Sequence, residues 1–320
     1  MQTPGSQSSP WYLPALSCLF VFLPVIIFTV PDAGAQANNQ YVERQVSFAN
    51  GQRKLSGSLY LPASLKGKVP VVLFVAGERP GELDRDALQR LARGIAAAGI
   101  ATLYYQESSF EPNENPLDLI TEDAIAALQL LGTLPEIDSS AEIVFGHSLG
   151  GTIAPYVAER YPRVRGVILA AAAVTPIDRS ILSQHRISLA SRGRSEKEIE
   201  EAVNSEAKIL DDVRSGKIPA PRMINGAPAS FWRDWMNRDP IRELAKSKVA
   251  ALVLQGEQDT ANEIDSERLQ KQIEDLGPRA QLRVIPGVDA YFLSGQKQSP
   301  ESDQLVEIVS RWVLKTASGK

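Results

Sequence analysis

The chain has 320 residues, 43% of them hydrophobic and 22% charged, the balance of an ordinary globular α/β protein with one large core. Its formal net charge is −4, and its basic residues alternate with acidic ones along the sequence, so nothing electrostatic argues for nucleic acid. Cys18 is its single cysteine, which excludes internal disulfides and thiolate metal sites. No phosphate loop, zinc-ligand cluster or nicotinamide fingerprint is present, so no cofactor or metal is expected.

Residues 11–30 form a nearly unbroken apolar run, and no charged side chain precedes Asp32. Ala33-Gly34-Ala35 then has the small-x-small pattern of a signal-peptidase site. Residues 1–35 read as a signal peptide, with Gln36 opening the mature chain and export to the periplasm or medium as the consequence. The other reading is an uncleaved anchor, since about 20 apolar residues can span a bilayer. That segment is the only route to a membrane that the sequence offers. Cys18 lies too early in the apolar run to be a lipoprotein cysteine.

From residue 36 onward the chain reads as one domain. Asn50-Gly51 joins two strands, 45–49 and 54–61, in a hairpin. A continuous apolar run at 69–76 predicts a buried parallel strand. Helical spacing follows over 84–98, closed by Gly99. Further along come a strand at 100–105, an amphipathic helix at 116–131, a strand at 142–145, and a helix ending near Arg160. Strands at 165–171, 249–255 and 281–285 complete the set, with helices at about 262–276 and 302–315. The alternation predicts a mostly parallel sheet flanked by helices. Residues 176–245 interrupt it with helical patterns and no convincing strand. This insertion reads as a helical cap over the carboxyl edge, where open α/β sheets bind ligands.

Gly146-His147-Ser148-Leu149-Gly150 is a G-x-S-x-G pattern between a strand and a helix. Such a turn lifts a serine Oγ above the sheet, with the glycines demanded by close backbone approach. Ser148 is therefore the candidate nucleophile, and the N–H of Leu149 a candidate oxyanion donor at the positive end of the helix. His147 points away from its neighbour on so tight a turn and reads as packing beside it. Asp259 ends the stretch Leu254-Gln255-Gly256-Glu257-Gln258-Asp259 after a late strand, where a triad acid belongs in the chain order serine, acid, histidine. Glu257 is a weaker substitute, and Asp259 would also serve as a helix N-cap.

These stretches resemble the α/β-hydrolase family, in particular its esterase and serine-aminopeptidase-like members. The resemblance rests on VVLFVAG, GHSLGG, PIDRSILSQ, LQGEQD and PGVDAYF before a terminal helix bearing Trp312, and it covers about residues 45–315. It implies an α/β-hydrolase fold with an eight-stranded, mostly parallel sheet and a helical cap. It also implies a small-molecule ester or acyl substrate. Two positions depart from the family. Its P-G-x-N-H-x-F segment reads Pro286-Gly287-Val288-Asp289-Ala290-Tyr291-Phe292, so Ala290 stands where the resemblance implies the histidine base. Its oxyanion loop reads Ala76-Gly77-Glu78-Arg79-Pro80, so the second donor would be the N–H of Glu78, whose carboxylate is unfavourable beside a developing oxyanion unless it turns away. The chain's second histidine, His185 at the start of the cap, is the one substitute base on offer. Two functions follow: a slow serine hydrolase, or a non-catalytic protein that binds a small ligand on the same scaffold. The sequence leaves the oligomeric state open.

Overall fold

The computed structural model describes residues 40–76, 85–108, 114–174, 177–224, 226–259, 266–289, 292 and 300–319. An eight-stranded sheet forms the centre, from β1 (Tyr41–Asn50), β2 (Arg53–Pro62), β3 (Val69–Val75), β4 (Ala101–Tyr105), β5 (Ile137–His147), β6 (Val164–Ala170), β9 (Ala250–Gly256) and β10 (Ala280–Ile285). Their spatial order is β1-β2-β4-β3-β5-β6-β9-β10. β2 runs antiparallel to β1 and β4, and the remaining pairs are parallel. The fold expected from the sequence is the fold observed.

Local chemistry accounts for the elements. Gly51 takes the left-handed φ of 58° that the β1–β2 turn requires. Successive residues of β3 face opposite sides, as the period of two demands. Val71, Leu73 and Val75 pack with α2 (Pro116–Leu131) and α3 (Leu149–Arg160). Val72 and Phe74 pack with α1 (Arg85–Ala97) and α9 (Pro300–Ala317). The sheet is thus a middle layer with a core on each face. Asn115 caps α2, its side-chain oxygen accepting the N–H groups of Leu117 and Asp118, and Pro116 occupies the first turn where no N–H is needed. At the centre of the sheet Phe74 and Phe145 stack at 4.7 Å.

Between β6 and β9 the chain departs into α4 (Ile177–Ser191), α5 (Glu196–Arg214), α6 (Ala229–Met236) and α7 (Pro240–Lys246). A capping box between Ser195 and Glu198 starts α5. The expectation of an insertion without strands needs correction. β7 (Met223–Ile224) and β8 (Ala227–Pro228) pair antiparallel within it. Two residues per strand are too few to show alternation, but Asn225-Gly226 was a hairpin signal, and Gly226 has the matching φ of 80°. β5 also starts earlier than expected, at Ile137, through a bridge to Val69 that a register shift separates from the main ladder. The predicted helix at 262–276 is described from Ser266 to Asp275. Among the described residues no helix is long and apolar enough to cross a membrane.

Candidate active site

Ser148 stands between β5 and α3 with φ 51° and ψ −117°, a left-handed backbone that β-carbon-bearing residues rarely adopt. Close approach explains why its neighbours are glycines. A Cβ on Gly146 would lie 2.1 Å from the Gly150 carbonyl oxygen, and one on Gly150 would lie 2.0 Å from that of Val75. The turn is held by the Ser148 N–H donating to the Ala170 carbonyl (2.9 Å) and by Gly151 N–H donating to the Ser148 carbonyl (3.0 Å). Ser148 is half-buried, whereas Leu149 beside it is buried. As the first residue of α3, Leu149 has one of the N–H groups that helix geometry leaves without an intrahelical acceptor. His147, the last residue of β5, is buried opposite Ala170.

Strain collects on this edge. Among the described residues, the non-glycine positions with positive φ are Ser148, Ala171 (48°) and Phe292 (57°). They follow the carboxyl ends of β5, β6 and β10 respectively. Backbone strain of about 1–3 kcal/mol per residue persists only where the surroundings over-determine it, and it gathers at functional sites.

Asp259 follows β9 on the same edge and is buried, its N–H donating to the Gly256 carbonyl (3.1 Å). β9 lies two strands from β5, about 10 Å at ordinary strand spacing. The turn bearing Asp259 is tied to the chain beyond β10. Gln258 N–H donates to the Val288 carbonyl (2.8 Å), and Gly287 N–H donates to the Glu257 carboxylate (3.0 Å). Glu257 therefore has a structural partner outside the turn. Phe292, buried, closes the next turn by donating its N–H to the Asp289 carbonyl (3.0 Å).

Two positions singled out from the sequence, Glu78 and Ala290, lie outside the described residues. The chain enters the segment of Glu78 from the end of β3, the strand paired with β5. It enters position 290 from Asp289, whose carbonyl crosses the end of β9. His185 lies on α4, where its Nδ1 pairs with the Glu206 carboxylate of α5. His185 lies about 12 Å along the helix from Ile177, where α4 begins.

One residue that the sequence did not single out joins the insertion to the sheet layers. Arg238 follows α6 and donates to both Asp234 oxygens (3.1 and 2.9 Å) and to Asp118 of α2 (3.2 Å). Its guanidinium lies over the Tyr156 ring of α3 at 4.6 Å. The Tyr156 hydroxyl in turn accepts the Asp239 N–H (3.1 Å). No motif marks this cluster, because its members are remote in sequence. Among the described residues no group of three or more His, Cys, Asp or Glu could hold a metal ion.

Comparison with known proteins agrees with this architecture. The chain belongs to the alpha/beta hydrolase family, which it matches over residues 103–298. It is similar to Esterase EstD of Thermotoga maritima, with 26% identity over 281 residues that cover 82% of this chain and 66% of that esterase. The chain thus spans just under two thirds of that relative's length. Among solved structures, Est1E from Butyrivibrio proteoclasticus superposes with a TM-score of 0.59 at 14% identity, covering 86% of this chain and 99% of that one. Carboxyl esterase 2 from Tuber melanosporum superposes with a TM-score of 0.57 at 18% identity, covering 94% of each chain. These structural likenesses show the fold. Est1E has also been solved with ferulic acid bound.

Proposed function

We propose that this chain is an exported serine hydrolase of carboxylic esters or related acyl compounds, slowed by the loss of its base. The observation that carries this reading is the strained Ser148 turn, with φ 51° and both flanking glycines forced by backbone contact. A turn so costly to build presents one hydroxyl at the head of a helix, where partial positive charge favours an oxyanion.

In this reading the Ser148 Oγ attacks the ester carbonyl carbon and its proton passes to solvent water, which returns one to the departing alkoxide. The carbonyl electrons collect on an oxygen met by the N–H groups of Leu149 and Glu78. Collapse expels the alcohol with a proton and leaves an acyl-serine, which water then hydrolyses. Asp259 is the acid that would orient and charge-stabilise a histidine at position 290. Alanine there cannot take the proton. Removal of the base in a comparable serine enzyme costs about 2 × 10⁶ in kcat, on the order of 9 kcal/mol. The oxyanion donors and binding leave roughly 10³–10⁴ over water. The proposal therefore includes formation of acyl-serine without efficient turnover. His185, which pairs with Glu206, enters this scheme only as a rescue: if it serves, His185→Ala should lower any Ser148-dependent rate at least tenfold, and no change would sink it. The insertion at 176–245 acts as the cap over the bound acyl group.

Residues 1–35 are proposed as the export signal, supported by the apolar run and the small-x-small site, with residues 36–320 as the hydrolase domain. A second reading, a non-catalytic protein that binds a small acyl ligand on the same edge, is favoured by one specific observation, the alanine at position 290. Labelling with a fluorophosphonate probe separates the two. Covalent labelling of the parent and none of Ser148→Ala supports a nucleophilic serine. Labelling of neither supports the binding reading.

A further inference from the structure

Folding brings together positive charge that the sequence scatters. Lys66 and Lys68 stand on the connection from β2 to β3, Arg163 and Arg165 open β6, and Lys248 precedes β9, all of them exposed. Each connection lies at the amino edge of the sheet, opposite Ser148. β3, β5, β6 and β9 are neighbours there, so the cations span three strand spacings, about 15 Å. An open cleft of about 610 Å³ joins Arg163, Arg165 and Lys248 to the hydroxyl-bearing Ser139 and Ser140.

The acids on this edge do little to neutralise it. Glu136 is paired with Arg44 at 2.6 Å. Glu142 is fully buried, 3.6 Å from Arg163, in a setting that favours its neutral form. Asp138, held below the usual carboxylate range by the Ser140 hydroxyl and N–H at 2.7 and 2.9 Å and by Lys68, stays charged and offsets one of the five cations. Beyond the opposite edge the insertion mixes both signs, with one acidic helix in it. Helix α5, in the insertion that leaves the carboxyl end of β6, reads EKEIEEAVNSEAKILDDVR, seven acids against three bases.

Chain direction points the same way. Tyr41, which opens β1, pairs with Pro62, which ends β2. The chain therefore enters the sheet at the amino edge, beside Lys66 and Lys68. Upstream in the sequence lies the apolar run at 11–30, with no charge before Asp32.

We propose that the amino edge docks on an anionic lipid bilayer, with Lys66, Lys68, Arg163, Arg165 and Lys248 against the headgroups and the Ser148 edge turned away. The inference is independent of the chemistry assigned to Ser148. Each Lys or Arg near an anionic surface contributes about fivefold to partitioning, and the attraction is screened by salt.

Flotation of the full-length chain tests this, with vesicles of phosphatidylcholine alone and of equal parts phosphatidylcholine and phosphatidylglycerol. The expected result is a gain of roughly a thousandfold in partitioning on the anionic vesicles at low salt, lost at high salt. The Lys68→Glu/Arg165→Glu/Lys248→Glu variant should cancel that gain and leave binding to the neutral vesicles unchanged. The corresponding Gln variant should lose part of it, which guards against a folding defect in the Glu set. Lys197→Glu/Lys208→Glu, on α5, should leave the gain intact. Equal partitioning on both vesicles overturns the proposal, as does equal loss from the α5 variant. Saturable binding of inorganic phosphate, measured by calorimetry and without any vesicle preference, would assign a small-anion site instead and also overturn it.

Discussion

Gly256 and Asp289 meet so closely that a Cβ on Gly256 would lie 2.3 Å from the Asp289 carbonyl oxygen. The Val288 carbonyl lies 2.5 Å from the same point. The end of β9 and the chain leaving β10 are thereby locked together as far as Asp289.

Gly256→Ala should break that lock. Both contacts are with backbone atoms, so relief requires one segment to move, and overpacking of this kind costs about 1–3 kcal/mol. Urea unfolding should show a loss within that range. Any activity gained by Ala290→His should fall by at least tenfold when the two substitutions are combined. A double variant as active as Ala290→His alone would show that the contact does not place residue 290.

Arg238 should hold the helical insertion on the sheet layers. Its bonds to Asp234 and Asp118 are charge-assisted and partly buried, at 2.9–3.2 Å, and such bonds contribute roughly 1.5–3 kcal/mol each. Arg238→Ala should lower stability by about 2–3 kcal/mol and speed proteolytic cleavage within 177–246. Arg238→Lys should recover less than half of the loss, because an ammonium cannot reproduce the two-pronged contact or lie flat over Tyr156. Equal stability of all three proteins, measured by thermal unfolding, would refute this role.

Glu142 should make the protein less stable at alkaline pH. Burial pushes its carboxyl up from 4.5 to about 7, with Arg163 opposing and Asp138 adding to the rise. Neither carboxyl oxygen has a hydrogen-bond partner. In the unfolded chain the group loses its proton near 4.5, while the folded chain keeps it until about 7. Below the lower value the two states are equally protonated and there is no penalty. Between them the penalty grows, and above pH 7 it is complete, on the order of 3 kcal/mol. Glu142→Gln should therefore raise the melting temperature at pH 8 more than at pH 4.5. A parallel pH profile for variant and parent would contradict the account.

Much of this architecture was legible in the sequence, and the exceptions have physical causes. The Ser148 turn was readable because its requirements are local: two glycines, an apolar strand before and a helix after. Residues 137–141 escaped because Asp138, Ser139 and Ser140 look like a loop, and only pairing of Ile137 with Val69 makes them strand. The short hairpin at 223–228 carried its signal in Asn225-Gly226 but lacked the length to display a period. Arg238 with Asp118 and Tyr156, and Arg163 with Lys248, are proximities between remote segments, which no local pattern encodes. The order serine, acid, base position was visible, and the described residues place Ser148, Asp259 and Asp289 beyond the ends of β5, β9 and β10 on one edge.

The central claim is that a hydrolase scaffold remains intact around a missing proton carrier. Its most direct test is release of p-nitrophenol from a short-chain ester by the parent, Ser148→Ala and Ala290→His. The account predicts little or no turnover by the parent, none by Ser148→Ala, and at least a hundredfold gain by Ala290→His that disappears when Ser148 is also replaced, a fraction of the roughly 10⁶ attributed to such a base. Efficient turnover by the parent, unchanged in Ser148→Ala, would contradict it.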